Sequence, residues 1–320
     1  MGQRDNKTID LLEAAAKKRL PLKDHTNAVR LVNDAGDGLE GLVLEQYNRH
    51  FVAQIFDKRW LAEKEALAGF VKGRLHGEYL VIKDRTESNL AHPDVFKAST
   101  WIEYDTSQTI VQENGLKFRV DLNDTLNSGL FLDMRYNRKV VSGLSKGRKV
   151  LNCFAYTCSF GVYCRAAGAL SVVNVDISRK SLNRGRFNYG LNQMVGTDNE
   201  FICLDAAQYL KRAGKKDNHF DLIILDPPSF SRHEGKTFRL KKDFPQLIAL
   251  AIDVLAPGGF LFAAANLSGI SCKDLENMAR AAAQKRQIKR MQRLGQDEDF
   301  PGSGISPKSY LAALLVEMQE

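Results

Sequence analysis

The chain has 320 residues, which is enough for about two domains with buried cores. Its 44% apolar and 26% charged residues exclude a disordered chain and a small disulfide-stapled protein. The net charge of +8 is unevenly distributed, because residues 1–128 carry 18 Lys and Arg against 20 Asp and Glu, whereas residues 129–320 carry 28 against 18. So basic a second half suits a polyanionic partner such as RNA, and the simple alternative is a solvated basic face.

The sequence predicts neither a membrane span nor a metal site. The most apolar stretch, 249–265, is interrupted by Asp253 and Pro257, so it does not supply the long apolar run of a spanning helix. The amino terminus lacks the apolar stretch of a signal peptide, and we therefore expect a cytoplasmic protein. The five cysteines are odd in number and lack the paired spacing of zinc ligands, which favours reduced core thiols.

The first half of the chain predicts a small α+β domain. The apolar pattern indicates helices over 8–19 and 60–74 and strands over 28–33, 42–47, 51–56 and 79–83. Asn114-Gly115 joins the strand-like runs 110–113 and 116–121, which is the strongest hairpin signal in the chain. The polar stretch 122–128 is the predicted boundary, so the domains are 1–128, a candidate RNA-binding domain, and 129–320.

The second half alternates short apolar runs with helical segments, which is typical of βαβ crossovers. Seven strands are predicted, over 150–154, 171–176, 201–205, 222–226, 259–265, 288–294 and 310–318. We therefore expect an α/β fold with a seven-stranded, mostly parallel sheet and helices on both faces. In such open sheets the ligand lies outside the carboxyl ends of the strands.

Acidic residues stand at three successive strand ends. They are Asp176, Asp205 and Asp226, and the first strand is followed by Asn152-Cys-Phe-Ala-Tyr-Thr157. An acid after the second strand can accept the two ribose hydroxyls of a nucleoside, and an acid after the third can accept the adenine amino group. The simple alternative for each aspartate is a helix cap.

The fourth strand ends in the most discriminating motif, Asp226-Pro-Pro-Ser-Phe230. Pro227 and Pro228 lack N–H groups, so nearby carbonyls are left as acceptors, and Phe230 offers a face on which a flat ring can stack. This rim could hold the edge of a nucleobase. Asp226 could contact the same base or the amino group of a methionyl cofactor.

Together these residues resemble the class I S-adenosylmethionine-dependent methyltransferases, specifically the 23S ribosomal RNA methyltransferases of the RlmI and RlmK type. The resemblance covers most of the chain and rests on five motifs, namely 30–42, Glu113-Asn-Gly-Leu-Lys-Phe118, 128–138, Val150-Leu-Asn-Cys-Phe-Ala-Tyr-Thr157 and Asp226-Pro-Pro-Ser-Phe230. It implies a Rossmann-like fold, S-adenosylmethionine as cofactor and large-subunit ribosomal RNA as substrate. We expect the RNA-binding PUA domain often found in relatives to be absent.

The resemblance also implies roles for individual residues. Cofactor contacts are expected from Phe131, Leu132, Asp133, Arg135, Phe154, Tyr156, Thr157, Ser159, Asp176, Ile177, Asp205, Ala206 and Asp226. Substrate positioning and catalysis are expected from Asp226, Pro227, Pro228 and Phe230.

Two positions depart from the family pattern. Cys158 stands where the first loop usually has glycine, so a side chain occupies a point where the backbone is expected to approach the cofactor closely. This favours, as an alternative, a catalytically degenerate RNA-binding relative. Leu267 stands where relatives that methylate cytosine C5 have a nucleophilic cysteine.

The second departure bears on the methylated atom. Cytosine C5 becomes nucleophilic only after a thiolate adds to C6, whereas guanine N7 already has an in-plane lone pair. A leucine cannot supply that thiolate, so we expect methylation of a nitrogen such as guanine N7. The alternative is a cytosine-C5 enzyme in which Cys272, read more simply as a helix-start residue, supplies the nucleophile.

A basic segment follows Phe230. Its candidate RNA contacts are Arg232, Lys236, Arg239, Lys241 and Lys242. We expect these residues to hold phosphates while Phe238 stacks a base, and His233 to contact phosphate or solvent. The simple alternative is a mobile solvated loop. A small-molecule methyltransferase is a third possibility, which the basic second half disfavours.

Overall fold

The computed structural model describes residues 3–87, 97–102, 106–124, 127–233, 236–267, 269–284, 286–302 and 311–320. They form two units. The amino-terminal unit comprises the described residues of Met1–Arg135 and Asp297–Pro307, and the carboxyl-terminal unit comprises those of Tyr136–Gln296 and Lys308–Glu320. This division follows Arg135, seven residues after the predicted boundary. The membership of the segment beginning at Asp297 in the first unit was not predicted from the sequence.

The amino-terminal unit contains a five-stranded sheet. Its elements are α1 (Gln3–Lys18), β1 (Ala28–Asn33), β2 (Leu42–Tyr47), β3 (His50–Ile55), α2 (Lys64–Arg74), β4 (Tyr79–Asp84) and β5 (Lys97–Ile102). The strands lie in the order β1-β2-β3-β4-β5, and only β3 and β4, which α2 connects, are parallel. Leu12 of α1 and Phe70 of α2 pack against one face of this sheet. The predicted helices and strands are present, and β5 was not predicted.

The predicted hairpin is also present, as β6 (Gln108–Glu113) and β7 (Leu116–Asp121). Asn114 and Gly115 have φ angles of 48° and 82°. Two successive left-handed residues make the tight turn whose twist matches that of the flanking strands. The Asn-Gly signal therefore specified this turn correctly.

The carboxyl-terminal unit alternates strands and helices. Its elements are α3 (Arg135–Ser142), whose first residue belongs to the amino-terminal unit, β8 (Lys149–Cys153), α4 (Ser159–Ala166), β9 (Ser171–Asp176), α5 (Arg179–Leu191), β10 (Phe201–Cys203), α6 (Ala206–Lys215), β11 (Phe220–Leu225), β12 (Phe230–His233), β13 (Lys236–Arg239), α7 (Leu240–Asp253), β14 (Leu255–Asn266), α8 (Cys272–Ala282), β15 (Ile288–Leu294) and β16 (Leu311–Met318). No helix in the described part of the chain is long and apolar enough to cross a membrane.

Seven of these strands form one sheet in the order β10-β9-β8-β11-β14-β16-β15. The first five in this spatial order pair in parallel, and β16 is antiparallel to both of its neighbours. Leu222 lies opposite Val150, so β11 and β8 are adjacent parallel strands, as predicted. The chain runs outward from β8 through β9 to β10 and then returns to place β11 on the other side of β8. The carboxyl ends of β8 and β11 therefore flank the switch point, where ligands bind in open sheets.

Alternate strand residues face opposite sides of this sheet, as the pleat requires. Leu151, Ile223 and Leu261 belong to one buried cluster with residues of α6, α7 and α8. On the other side, the ring of Phe160 in α4 lies 5.4 Å from the ring of Phe262. Helices thus cover both faces, which leaves the strand ends as the place where polar residues converge.

Candidate cofactor and substrate site

The loop of residues 154–158, here called the first loop, joins β8 to α4 at the switch point. Phe154, Tyr156 and Cys158 have φ angles of 57°, 48° and 59°. Non-glycine residues seldom adopt this left-handed conformation, and such strained positions cluster at ligand sites. Three of them within five residues indicate a loop that is held in an unusual shape by its surroundings.

Asp176, at the end of β9, is one of the groups that hold the first loop. Its Oδ2 accepts a hydrogen bond from the Tyr156 N–H at 2.8 Å, and its Oδ1 accepts one from the Ser178 N–H at 2.8 Å. Burial raises the pKa of this carboxyl group, and the two backbone N–H groups partly oppose that effect. Each oxygen keeps a second lone pair, so Asp176 fits the predicted acceptance of two ribose hydroxyls.

Helix α5 holds the next two residues of the loop. The Asn188 side-chain amide, which is buried, donates to the Thr157 carbonyl at 3.0 Å. Cys158 is fully buried, and its Sγ packs against Gly185 of α5. Burial and the nearby Asp176 raise the pKa of the Cys158 thiol well above its usual range. Neither Asn188 nor Gly185 was predicted from the sequence.

The amino terminus of α4 follows directly, beginning at Ser159. No side chain caps it, whereas Ser178 caps α5 and Asp205 caps α6 by accepting from backbone N–H groups. Uncapped N–H groups at a helix amino terminus attract carboxylates and phosphates. The first turn of α4 therefore fits the carboxylate end of an amino-acid cofactor.

A buried polar network supports the loop from below. The Asn152 amide donates to Asn174 Oδ1 at 2.9 Å, and the Asn174 amide donates to the Tyr189 hydroxyl at 3.0 Å. A Cβ at Gly161 would lie 2.3 Å from Asn174 Oδ1, so glycine is needed for α4 to approach these strands. The signal that could have found this network is an asparagine in the middle of each of two apolar strands.

Asp205 comes two residues after β10 and caps α6, which was the simple alternative for these acids. Its Oδ1 accepts a hydrogen bond from the Gln208 N–H at 2.9 Å. Within the described residues its Oδ2 has no hydrogen-bond partner, so the cap is compatible with the predicted adenine contact. Ala206 is buried in the core beside it, and Ile177 is partly exposed. The Cys203 thiol donates to the Ile177 carbonyl at 3.3 Å.

Asp226 follows β11 at the other side of the switch point. Asp226 is partly buried, Pro227 is buried and Pro228 is exposed. The Ser229 hydroxyl donates to the Asn266 carbonyl, which ties this motif to the end of β14. The predicted aromatic partner, Phe230, begins β12, and its side chain lies outside the described part of the structure.

The two positions considered for a nucleophile lie after β14. Leu267 is partly buried and packs against the core cluster. Cys272 is the first residue of α8, and its thiol donates to the Ala313 carbonyl of β16 at 3.7 Å. The reading of Cys272 as a helix-start residue is therefore correct.

The basic segment forms a hairpin rather than the solvated loop that was the simple alternative. Strands β12 and β13 pair in antiparallel register, with Phe230 opposite Arg239. The Phe238 ring lies 5.8 Å from the Phe154 ring, so it packs against the first loop. Arg239, Lys241 and Lys242 are exposed. The side chains of Arg232, His233 and Lys236 lie outside the described residues.

The remaining predicted cofactor residues belong to the amino-terminal unit. Phe131 is exposed, whereas Leu132 and Asp133 are buried in the turn before α3. The Arg135 guanidinium is only 2% exposed and donates to Asp297, Asp299 and the Ala28 carbonyl at 2.8 to 3.1 Å. Its Nε also lies 3.4 Å from Glu113. These contacts favour a structural role for Arg135 over the implied cofactor contact.

Comparison with solved structures supports the fold. The structure of SMU.776 in complex with SAH has a TM-score of 0.86, shares 24% identity, and matches 98% of this chain and 81% of that one. A SAM-dependent methyltransferase from Agrobacterium tumefaciens has a TM-score of 0.66 at 19% identity, with 92% and 90% covered. At these identities the likeness concerns the fold alone.

Comparison with curated protein sequences identifies the family. The chain is 31% identical to ribosomal RNA large subunit methyltransferase I of Aeromonas salmonicida, over 97% of this chain and 81% of that protein. It is 32% identical to the protein of the same name in Pseudoalteromonas atlantica, over 90% and 74%. The family profile described as S-adenosylmethionine-dependent methyltransferase matches residues 59–317. These matches confirm the predicted resemblance, and the chain belongs to the S-adenosylmethionine-dependent methyltransferase family.

Proposed function

We propose that the chain methylates a base of large-subunit ribosomal RNA, and that the acceptor atom is a ring nitrogen such as guanine N7. Relatives of about 31% identity over most of the chain are named for this class of RNA. The exposed Arg239, Lys241 and Lys242 next to the candidate site add positive charge that suits a phosphate backbone.

The cofactor site is proposed at the carboxyl ends of β8, β9, β10 and β11. Asp176 would accept the ribose hydroxyls, Asp205 the adenine amino group, and the α4 amino terminus the carboxylate. Tyr156, Thr157 and Ser159 would line this site through the backbone of the first loop and of α4. When bound, S-adenosylmethionine supplies the sulfonium methyl group that is transferred.

The proposal that a nitrogen accepts the methyl group rests on the burial and the hydrogen bonds of the five cysteine thiols. All five cysteines are free and described, and Cys153, Cys158 and Cys164 are buried in surroundings that raise their pKa values. The partly exposed Cys203 and Cys272 each donate to a backbone carbonyl. Covalent activation of cytosine C5 requires a positioned thiolate, which the raised pKa values of the three buried thiols disfavour and which Leu267 cannot supply.

Methylation of a ring nitrogen needs alignment rather than a general base. The nitrogen lone pair forms the new bond while the bond from carbon to sulfur breaks, and no proton leaves the acceptor atom. Asp226 and the carbonyls near Pro227 and Pro228 would accept hydrogen bonds from the edge of a flipped base, and Phe230 would stack on its face.

Mass spectrometry of nucleosides from ribosomal RNA, with and without the gene, tests the proposal. We expect loss of 7-methylguanosine and full activity in the Cys272→Ser variant. Loss of 5-methylcytidine would contradict the nitrogen assignment and direct attention to Cys272. If no nucleoside changes, the degenerate RNA-binding relative becomes the better interpretation.

A further inference from the structure

Gly185 lies in the interior of α5, where glycine destabilises a helix relative to alanine. The residue is buried, and its φ angle lies outside the left-handed region that would call for glycine. Its backbone conformation therefore does not explain the absence of a side chain. The explanation lies in what packs against it.

The group that packs against Gly185 is Cys158 of the first loop. A Cβ at position 185 would lie 2.3 Å from Cys158 Sγ, 2.9 Å from Cys158 Cβ and 3.4 Å from the carbonyl carbon of Thr157. Rotating the Cys158 side chain would move Sγ but not Cβ. A methyl group at position 185 would therefore displace the loop backbone or the helix.

The displaced backbone is the part of the loop that the surrounding contacts position. Tyr156 donates its N–H to Asp176, and the Thr157 carbonyl accepts from Asn188, one turn of α5 beyond Gly185. Cys158 itself is the residue before α4 and sets the direction of its uncapped amino terminus. A shift at Cys158 thus reaches every backbone group proposed to face the cofactor.

We propose that Gly185 is a positioning residue for the first loop. Because Gly185 has no side chain, the Cys158 sulfur can pack against α5, and the two residues form a matched pair. The inference rests on the proposed placement of the cofactor at the first loop. It goes further by assigning cofactor affinity to a helix residue outside that site. It also explains how a side chain at position 158 is accommodated without filling the cofactor site.

A double-mutant cycle in the full chain tests this pair. The variants are Gly185→Ala, Cys158→Gly and the double variant, with calorimetric titration of S-adenosylmethionine and urea unfolding of each protein. We expect Gly185→Ala to weaken binding about tenfold or more, the scale of an overpacked contact. The double variant should return to within about threefold of Cys158→Gly, because removing the sulfur and Cβ removes the clash.

Gly190→Ala is the matched control, since it makes the same change in the same helix at a position where a Cβ meets nothing within 4 Å. It should leave the affinity unchanged. A purely structural role for Gly185 would lower stability in Gly185→Ala without changing the affinity of the folded protein. Wild-type affinity in Gly185→Ala, or a double variant no better than Gly185→Ala, overturns the proposal.

If Gly185→Ala fails to fold, Cys158→Gly and the double variant still decide the matter. If these two variants have equal cofactor affinity and equal stability, the pairing of Gly185 with Cys158 is supported. If the double variant binds the cofactor more weakly than Cys158→Gly or does not fold, the proposal is overturned. Asp176→Asn tests the cofactor placement separately. Loss of affinity there with wild-type affinity in Gly185→Ala would overturn only the role of Gly185, whereas wild-type affinity in both would overturn the placement as well.

Discussion

The Asp176→Asn substitution tests the proposed cofactor site most directly. Asparagine keeps the shape of the side chain but replaces one carboxylate oxygen by an NH₂ group and removes the charge. Whichever way the amide turns, its NH₂ faces one of two backbone donors, the N–H of Tyr156 or that of Ser178. The substitution therefore weakens both the predicted ribose contact and the anchoring of the first loop.

The expected magnitude follows from the bonds that are lost. A hydrogen bond to a charged acceptor contributes about 1.5 to 3 kcal/mol, and at least one such bond to the ribose disappears. This corresponds to an affinity for S-adenosylmethionine about 10- to 150-fold weaker than that of the wild type. Displacement of the Tyr156 N–H adds to this loss rather than opposing it.

Calorimetric titration at neutral pH measures the change, and Asp221→Asn is the matched control. Asp221 also accepts a backbone N–H from a neighbouring parallel strand, that of Lys149 at 2.7 Å, but it lies at the amino ends of the strands. Asp221→Asn should leave the affinity unchanged. An affinity within about twofold of wild type in Asp176→Asn, or equal losses in both variants, would refute the placement of the ribose.

The pH dependence of binding gives a second readout of the same carboxylate. Burial raises the pKa of Asp176, so this group takes up its proton at a higher pH than an exposed aspartate does. A protonated Asp176 loses one acceptor for the ribose. Wild-type affinity should therefore fall on acidification through that raised pKa, and the Asp176→Asn variant should lack this acid-dependent step.

Two further predictions concern stability and RNA binding. Burial raises the pKa of Asp37, the bidentate hydrogen bonds from Arg19 lower it, and the net effect is a lowered pKa. The stability that this carboxylate contributes is therefore present at neutral pH and is lost as the pH falls through the lowered pKa. Asp37→Asn should lower the free energy of unfolding, measured with urea at pH 7, by about 3 to 5 kcal/mol. If the difference in stability between wild type and variant does not become smaller at acid pH, the prediction is wrong. Neutralising Lys241 and Lys242 to glutamine should reduce the salt dependence of RNA binding, decreasing the magnitude of the slope of log K against log salt by about 1.4 to 1.8 if both contact phosphates. The control replaces Lys211 and Lys215 of α6 with glutamine. If this change reduces the salt slope equally, the effect comes from the overall charge of the protein rather than from contacts at Lys241 and Lys242.

Much of the fold could be predicted because local patterns specify it. Most of the seven strands of the large sheet contain a short apolar run, although β15 carries three basic residues, and Asn114-Gly115 requires the turn that it makes. The strand β5 lacks such a pattern, since most of its residues are exposed at the edge of a sheet. The hairpin β12–β13 was missed for a similar reason, because its basic residues resemble a solvated loop.

The site could be predicted only in its outline. Acids at the ends of successive strands are visible in the sequence because parallel strands end at one edge. That Asp176 also anchors the first loop, and that Gly185 receives Cys158, depends on which elements pack together. Such contacts join residues that are 20 to 30 positions apart, and no local periodicity records them.

Arg135 shows where a role carried over from a family stops being informative. The residue matches the family motif in sequence, yet its guanidinium is enclosed by Asp297, Asp299 and Glu113 within the amino-terminal unit. Asp299 has no exposed surface and accepts from the Arg30 N–H as well, so the pair is part of a buried network. A buried guanidinium that donates to two aspartates and a backbone carbonyl cannot turn toward a ligand without leaving those groups unpaired, which costs several kcal/mol. Position in a motif therefore locates a residue, whereas the charges packed around it decide what its side chain is able to bind.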